Sequence, residues 1–576
     1  MNLHCLSLRL SVADSVSRHS AHKRPPHPWL GWTGGDNRLT RPPWFLVVMA
    51  TITAVAMVLP LAYLVVRAAG AGVPELWAIV TRPRTLEVIL NTLGMGALVV
   101  FFSALIAIPL AFLTIRTDLP GRRFWTVVTA LPLAIPTYVG SFTLIAAFGP
   151  RGSILQLLLA PLGVNRLPSI YGLFGAVVAT TLFSYPYLLL SVRAGLQGMD
   201  PALEEAARSL GCNQRQTFFR VTLSQLRPAI AAGALLVFLY TIQDFGTPAL
   251  MQFDTFTRVI FTQYRSSFNR YLAAALSLIL VAMVMVVLWL EYHFRQARAA
   301  YYTRGSAINR APNLIPLGPW KWPALIFCSL IFLVSLVMPI GVTLFWMFRS
   351  TLFGGVGYTA YRAVSIWTVA FNSFYAAGLA ALVSVLFSLP VAILSVRFPS
   401  RLTTLLERCS YVGFGTPGIV AALSLVYFGA NYVPFVYQRL PMLVFAYLIL
   451  FLPLAVGAVR GSLLQVNPSL EEAARSLGRT PWQVLRQVTI PLVRPGIISG
   501  TMLIFLTAIK ELPATLLLSP IGFRTLATQI WQATAEDAAF ADAAQAALLM
   551  LGVSSIATLI VLSQELKGAP AKRYDS

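Results

Sequence analysis

Several common chemistries are missing from this chain. It has five lysines and none follows a glycine, so no Gly-x-x-x-x-Gly-Lys-Ser/Thr loop exists to cradle a nucleotide. Gly-x-Ser-x-Gly and His-Glu-x-x-His are also missing, which leaves no recognisable hydrolase or metalloprotease centre. The four cysteines, Cys5, Cys212, Cys328 and Cys409, lie far apart, with neither metal-ligand spacing nor a disulfide framework. Four of the five histidines crowd the first thirty residues, where a polar unfolded tail explains them better than a metal site. Charge is scarce, at 11% of residues, and acidic charge scarcer, with 20 Asp and Glu against 43 Lys and Arg. A net charge of +23 would suit nucleic acid if it were gathered on one module, but the basic residues flank apolar segments instead, so no nucleic-acid partner is expected.

What the chain has is hydrophobicity, 57% of residues with a mean hydropathy of +0.73. Apolar runs of membrane-crossing length recur near 44–67, 88–114, 124–148, 170–192, 228–252 and 271–293, and again near 322–348, 371–395, 408–429, 441–459, 494–518 and 543–563. The expected fold class is an all-α polytopic membrane protein with about twelve transmembrane helices. Residues 1–43 read as a disordered basic tail, 44–294 and 322–566 as two halves, 295–321 as a basic linker and 567–576 as a short tail. An even number of spans returns the linker and C-terminus to the side of the N-terminal tail. Arg116, Arg122, Arg123, Arg397, Arg401, Lys567, Lys572 and Arg573 fall on that same side, which the positive-inside rule assigns to the cytosol. Both termini are therefore expected to be cytoplasmic, and no signal-peptide pattern precedes the first long apolar run at Trp44.

One nonapeptide occurs twice. Leu203-Glu204-Glu205-Ala206-Ala207-Arg208-Ser209-Leu210-Gly211 returns letter for letter at Leu470–Gly478, an offset of 470 − 203 = 267. Asp200-Pro201 and Asn467-Pro468 provide an N-cap and a proline tolerated in the first turn. Glu204-Glu205 and Glu471-Glu472 set negative charge at the positive end of the helix dipole. Gly211 and Gly478 suit a left-handed stop, and a second short helix capped by Asn213 or Thr480 follows. The expected shape is a helix–glycine–helix elbow over 200–224 and 467–491. Leu203, Ala207 and Leu210 give it a small apolar face, too slight for a core and suited to a groove on another protein.

The duplication runs wider than the elbows. Asn91-Thr92 pairs with Asn372-Ser373, Pro109 with Pro390, Arg116 with Arg397 and Pro136 with Pro417, all at an offset of 281. The offset falls to 267 from Pro186 and Pro453 onward, which puts 281 − 267 = 14 extra residues in the first half, around 149–169. Two halves of like orientation are parallel repeats about an axis along the membrane normal, with a pathway between them. Interior prolines suggest kinked spans.

These elbows resemble the cytoplasmic Glu-Ala-Ala loop of ATP-binding-cassette importer permeases. Glu205-Ala206-Ala207, Gly211 and Val221-Thr222-Leu223-Ser224 match once, and Glu472-Ala473-Ala474, Gly478 and Val488-Thr489-Ile490-Pro491 match again. Ser224 stands where proline is usual, so the first elbow is expected to end less sharply. The resemblance implies a type I importer permease fold of two parallel six-helix repeats in the bacterial inner membrane. It also implies two ATPase subunits docked at Glu205, Ala206, Ala207, Gly211, Glu472, Ala473, Ala474 and Gly478, and a periplasmic solute-binding protein. Under it the chain is no enzyme and holds no cofactor, ATP and Mg being bound by the partner. A secondary transporter would need more intramembrane carboxylates and has no use for twin elbows.

Asp244 and Glu511 are equivalent by the 267 offset, each sixteen residues beyond a proline, roughly 24 Å along a helix. They are candidate pathway residues near the outer mouth, the alternatives being that Asp244 caps a break near Gly246 and that Glu511 pairs with Lys510 or lies at the interface. Lys510, one position from Glu511, is expected to turn about 100° away and face packing helices or the membrane surface. The Leu131–Gly140 stretch, Phe148-Gly149-Pro150-Arg151-Gly152 and the run from Asp244 to Arg258 resemble ferric-iron permeases, though thiamine and phosphonate permeases share the fused design. Oxygen ligands such as Asp244 and Glu511 suit a hard cation.

Overall fold

The computed structural model describes residues 42–70, 72–199, 201–266, 270–302, 314–353, 365–536 and 539–568. Most of the N-terminal tail with its histidines, Asp200, part of the linker and the last residues lie outside them.

Every extended element among the described residues is a helix. In the first half α1 (Trp44–Ala69), α2 (Pro83–Arg116), α3 (Arg122–Val128), α4 (Thr137–Phe148), α5 (Leu173–Gln197), the elbow helix α6 (Pro201–Ser209), α7 (Leu223–Gln243), α8 (Gly246–Leu250), α9 (Phe256–Ser266) and α10 (Arg270–Tyr302) follow in order. The second half repeats the series with α11 (Lys321–Phe332), α12 (Met338–Phe353), α13 (Ile366–Arg397), α14 (Arg401–Ser410), α15 (Gly418–Tyr432), α16 (Leu440–Gln465), the elbow helix α17 (Ser469–Ser476), α18 (Ile490–Ala508), α19 (Pro513–Leu518), α20 (Leu526–Trp531) and α21 (Phe540–Gly568). Ten helical stretches are long and apolar enough to cross a membrane, α11 and α12 joining into one. Two bent pairs bring the number to twelve, two parallel repeats of six.

Four expected spans are broken. The run 124–148 bends by 94° between the turn at Leu131–Ala134 and α4, and 408–429 bends by 105° between the turn at Val412–Gly415 and α15. Pro136 and Pro417 lie at these bends, where proline has no N–H to continue the ladder. The runs 228–252 and 494–518 also stop early, at Gln243 and Ala508. There the Asp244 side chain accepts from Gly246 N (3.1 Å) and Glu511 accepts from Ala514 N (3.2 Å), capping the helices that restart beyond the breaks. In the other direction α10 continues to Tyr302, so the linker begins later than residue 295.

Within each half the tightest partners are α2 with α5 and α13 with α16. Gly233 and Gly500, equivalent at offset 267, let α7 and α18 close on α5 and α16; a Cβ at Gly233 would stand 2.6 Å from Leu188 Cδ1. Small residues at such crossings give dispersion contact where lipid offers no hydrophobic gain. Between halves, the first helix of each repeat crosses to the other. Helix α1 lies on α13, α14 and α15, while α12 lies on α4. Tyr63 Oη donates to Tyr427 O (3.5 Å) and Trp346 Nε1 to Ala146 O (3.4 Å), a matched pair because 427 − 281 = 146.

Candidate functional site

Both elbows form as twin structures on the face where α2 and α13 end. Gly211 and Gly478 take φ of +86° and +81°, and their amides and the next close back onto Arg208, Ala207, Arg475 and Ala474 carbonyls. Asn467 Oδ1 accepts from Ser469 N (3.1 Å), and capping boxes Asn213–Gln216 and Thr480–Gln483 start the second arms. Glu205, Ala206, Glu472 and Ala473 are exposed, Ala207 and Ala474 half-buried, with Leu203, Leu210, Leu470 and Leu477 standing in the open. The second arm does not end, however, in either copy. It passes through a π-helical turn, Phe218–Thr222 or Leu485–Thr489, straight into α7 or α18. The difference between Ser224 and Pro491 therefore makes no difference to this path.

The first glutamate of each copy, which local sequence offers only as a dipole charge, is buried. Glu204 is 8% exposed and Glu471 4%. Glu471 Oε1 lies 3.2 Å from Arg397 Nε and accepts from Thr489 Oγ1 at 3.0 Å. Glu204 Oε1 lies 3.7 Å from Arg116 Nη2 and accepts from Thr222 Oγ1 at 2.8 Å. The arginines also donate to carbonyls at the ends of α5 and α16, at Leu196 and Val466. Each elbow is thus pinned by one buried carboxylate to two membrane helices of its own half, and the arginine it meets ties in a third. The signal was present in the repeat itself: an Arg, a Glu and a Thr kept in both halves.

Beside the first elbow, the linker docks on the end of α2. Ile315, at the end of the linker, donates its N–H to Arg116 O (2.8 Å) and accepts from Asp118 N (3.2 Å). Asp118 accepts from Leu317 N (2.8 Å) and pairs with Lys321 at 3.0 Å. The Leu317 amide, then Lys321, hold its carboxyl below the usual carboxylate range.

The second feature is a cavity of about 300 Å³ between the halves, at the level of the breaks. Asp244 and Glu511 both line it, with Thr137, Tyr138, Tyr187, Tyr240, Gln243 and Lys510. Lys510 therefore faces the cavity, against the expectation that it turns away. The reason is local: α18 ends at Ala508, and the following turn does not keep the 100° step of a helix. Lys510 Nζ reaches Leu133 O of the first half at 3.5 Å; Gln243, its equivalent, reaches Phe414 O of the second at 3.3 Å. Since 510 − 243 = 267 and 414 − 133 = 281, the two bridges are one contact made twice.

The acids are accommodated differently. A Cβ on Gly418 would come within 2.5 Å of Glu511 Oε1, so the longer acid fills the space beside a glycine. Thr137 occupies the equivalent position (418 − 281 = 137) and stands beside the shorter Asp244. Toward the face opposite the elbows, Phe245 packs on Trp531 (5.1 Å between ring centroids), Phe261 on Trp531 (6.1 Å), and Arg265 pairs with Glu536 at 3.1 Å. These contacts join the halves beyond the cavity. Among the described residues no group of three or more His, Cys, Asp or Glu side chains assembles a metal site.

Comparison with known proteins agrees with this two-fold plan. The family described as binding-protein-dependent transport system inner membrane component matches twice, at residues 104–299 and 384–566. An Fe(3+)-transport system permease protein of Haemophilus influenzae is 33% identical over 524 residues, covering 90% of this chain and 98% of that protein. A putative ferric transport system permease protein of the same organism is 25% identical over 77% of this chain and 72% of its own length. A molybdenum transport system permease protein of Escherichia coli is 31% identical over 35% of this chain and 90% of its own, so it corresponds to one half.

Proposed function

The chain belongs to the binding-protein-dependent transport system inner membrane components, the non-catalytic permeases of ATP-binding-cassette transporters, and from that premise we propose that it is the pathway for ferric iron. The observation that carries the reading is the convergence of Asp244 and Glu511, one from each half, on a single cavity between the repeats. Carboxylate and hydroxyl oxygens are the donors a hard trivalent cation prefers. The 33% identical Fe(3+)-transport permease supports the same cargo.

In this reading the elbow face is cytosolic, as the basic residues at the span ends favour. Each elbow seats in a groove on one of two ATPase subunits, through Glu205, Ala206, Ala207 and Gly211 and through Glu472, Ala473, Ala474 and Gly478. A periplasmic binding protein delivers the solute to the opposite face. ATP and Mg are held by the ATPase, and this chain carries no cofactor. Closure of the ATPase pair moves the elbows, and the buried Glu204 and Glu471 anchors pass that movement to α2, α7, α13 and α18.

Lys510 supplies the one observation favouring a different cargo, an oxyanion, which the molybdenum permease of E. coli would exemplify. The deciding experiment is uptake of radiolabelled ferric iron and of molybdate in a deletion strain carrying the wild-type chain or Asp244→Asn/Glu511→Gln. Iron uptake restored by the wild type and slowed in the double variant supports the proposal. Restored molybdate uptake without iron uptake overturns it.

A further inference from the structure

The cavity contains two carboxylates and one ammonium, and among the described residues no other charged side chain lines it. Lys510 forms no ion pair with either acid among the described residues, and its single hydrogen bond there is the 3.5 Å contact to Leu133 O. An ammonium has three donors, so this one is under-used. Asp244 offers Oδ1 to Gly246 N, while Oδ2 is buried without a hydrogen bond of good geometry, the Thr137 and Thr247 hydroxyls standing near. Gln243 makes the same inter-half bridge with a neutral amide. The bridge itself therefore does not require charge, and the positive charge at 510 calls for a separate explanation.

We propose that Lys510 is a tethered cation, which offsets one of the two negative charges of Asp244 and Glu511 while the cavity is empty and yields to a hard cation as it passes. The proposal rests on the cation-pathway reading above. A pathway must bind strongly enough to admit its cargo and weakly enough to release it. Two carboxylates in a low-dielectric cavity would hold a trivalent ion too well. A lysine on a four-carbon stem, held by one long contact, adds a repulsion that weakens this grip and can swing aside. The ligand class is a hard, multivalent, oxygen-seeking cation. Asp244 and Glu511 are the donors, and Lys510 sets the affinity.

The test uses the full-length chain in detergent with terbium(III), a hard trivalent probe whose emission is sensitised by nearby tyrosines such as Tyr138, Tyr187 and Tyr240. Asp244→Asn/Glu511→Gln defines the signal from surface sites. Lys510→Gln introduces the first half's own residue, preserves a donor for Leu133 O and makes the cavity more negative by one charge. It should bind terbium about tenfold more tightly than wild type, from the Coulomb term removed. Lys510→Arg, which keeps the charge, should bind as wild type does. If Lys510→Gln fails to insert, Lys510→Met provides the same charge change. Unchanged or weaker binding on removing the charge overturns the proposal. Parallel iron uptake by cells separates the two readings. Intact iron uptake without the terbium shift defeats only the role of Lys510, whereas the shift without iron uptake removes ferric iron as cargo and leaves a site for another hard cation.

Discussion

Glu471 Oε1 and Arg397 Nε lie 3.2 Å apart with both side chains almost sealed from solvent, 5% and 10% exposed. Removing one partner of such a pair leaves a buried charge uncompensated, which costs about 3–5 kcal/mol. Glu471→Ala should therefore loosen the second elbow, seen as lost ATPase retention on purification while the chain still reaches the membrane. Glu204→Ala should do less, because Arg116 stands at 3.7 Å. Arg397→Ala/Glu471→Ala should be milder than Glu471→Ala alone; equal or greater loss in the double variant would show that the pair is not the source of the effect.

Gly211→Val and Gly478→Val test the stop between the elbow arms. A β-branched residue at φ above +80° is strained by roughly 1–2 kcal/mol, and no neighbour crowds either site. Solute-stimulated ATP hydrolysis should fall in both variants at unchanged expression. Normal transport by both would remove the coupling role from the elbows.

The glycine beside Glu511 gives a compensation test. Gly418→Thr should abolish uptake, because its Cβ alone meets Glu511 Oε1 at 2.5 Å and Pro513 Cγ at 3.1 Å. Adding Glu511→Asp rebuilds the Thr137–Asp244 arrangement of the first half and should recover most of the lost uptake. A double variant no better than Gly418→Thr would mean that the two halves accommodate their acids for unrelated reasons.

Asp118 sets a pH limit for linker docking. Its carboxyl is held below the usual range, so its contribution is complete above the unfolded value, about pH 4, and is lost as pH falls through the lower folded value. Hydrogen exchange at Leu317 should stay slow at neutral pH and speed up in strong acid. Asp118→Asn should exchange faster already at neutral pH, and equal protection in the variant would assign the docking to the Ile315 backbone pair alone.

The sequence carried the repeat well because repetition is legible without structure. The nonapeptide, the matched prolines and the basic span ends lead to two parallel halves, with the glycine stops at 211 and 478 where they were expected. Apolar periodicity did not reveal the break at Glu511, since a broken helix and a whole one are equally hydrophobic, whereas Gly246 marked the one that Asp244 caps. That omission had a consequence at Lys510, whose direction was inferred from a helical step that the chain does not take there. Glu204 and Glu205 look alike locally, and only the placement of Arg116 and Thr222 distinguishes the buried one from the exposed one.

Carrying both repeats on one chain also changes the arithmetic of the cavity. In a permease assembled from two identical subunits, each charge on the pathway is matched by its twin, so the formal total is always even. Here Asp244 has its equivalent in Glu511, but the equivalent of Lys510 is the neutral Gln243, and the formal total is −2 + 1 = −1. An odd value is open only to a pair of halves free to diverge, and a single substitution then tunes the pathway by one unit instead of two.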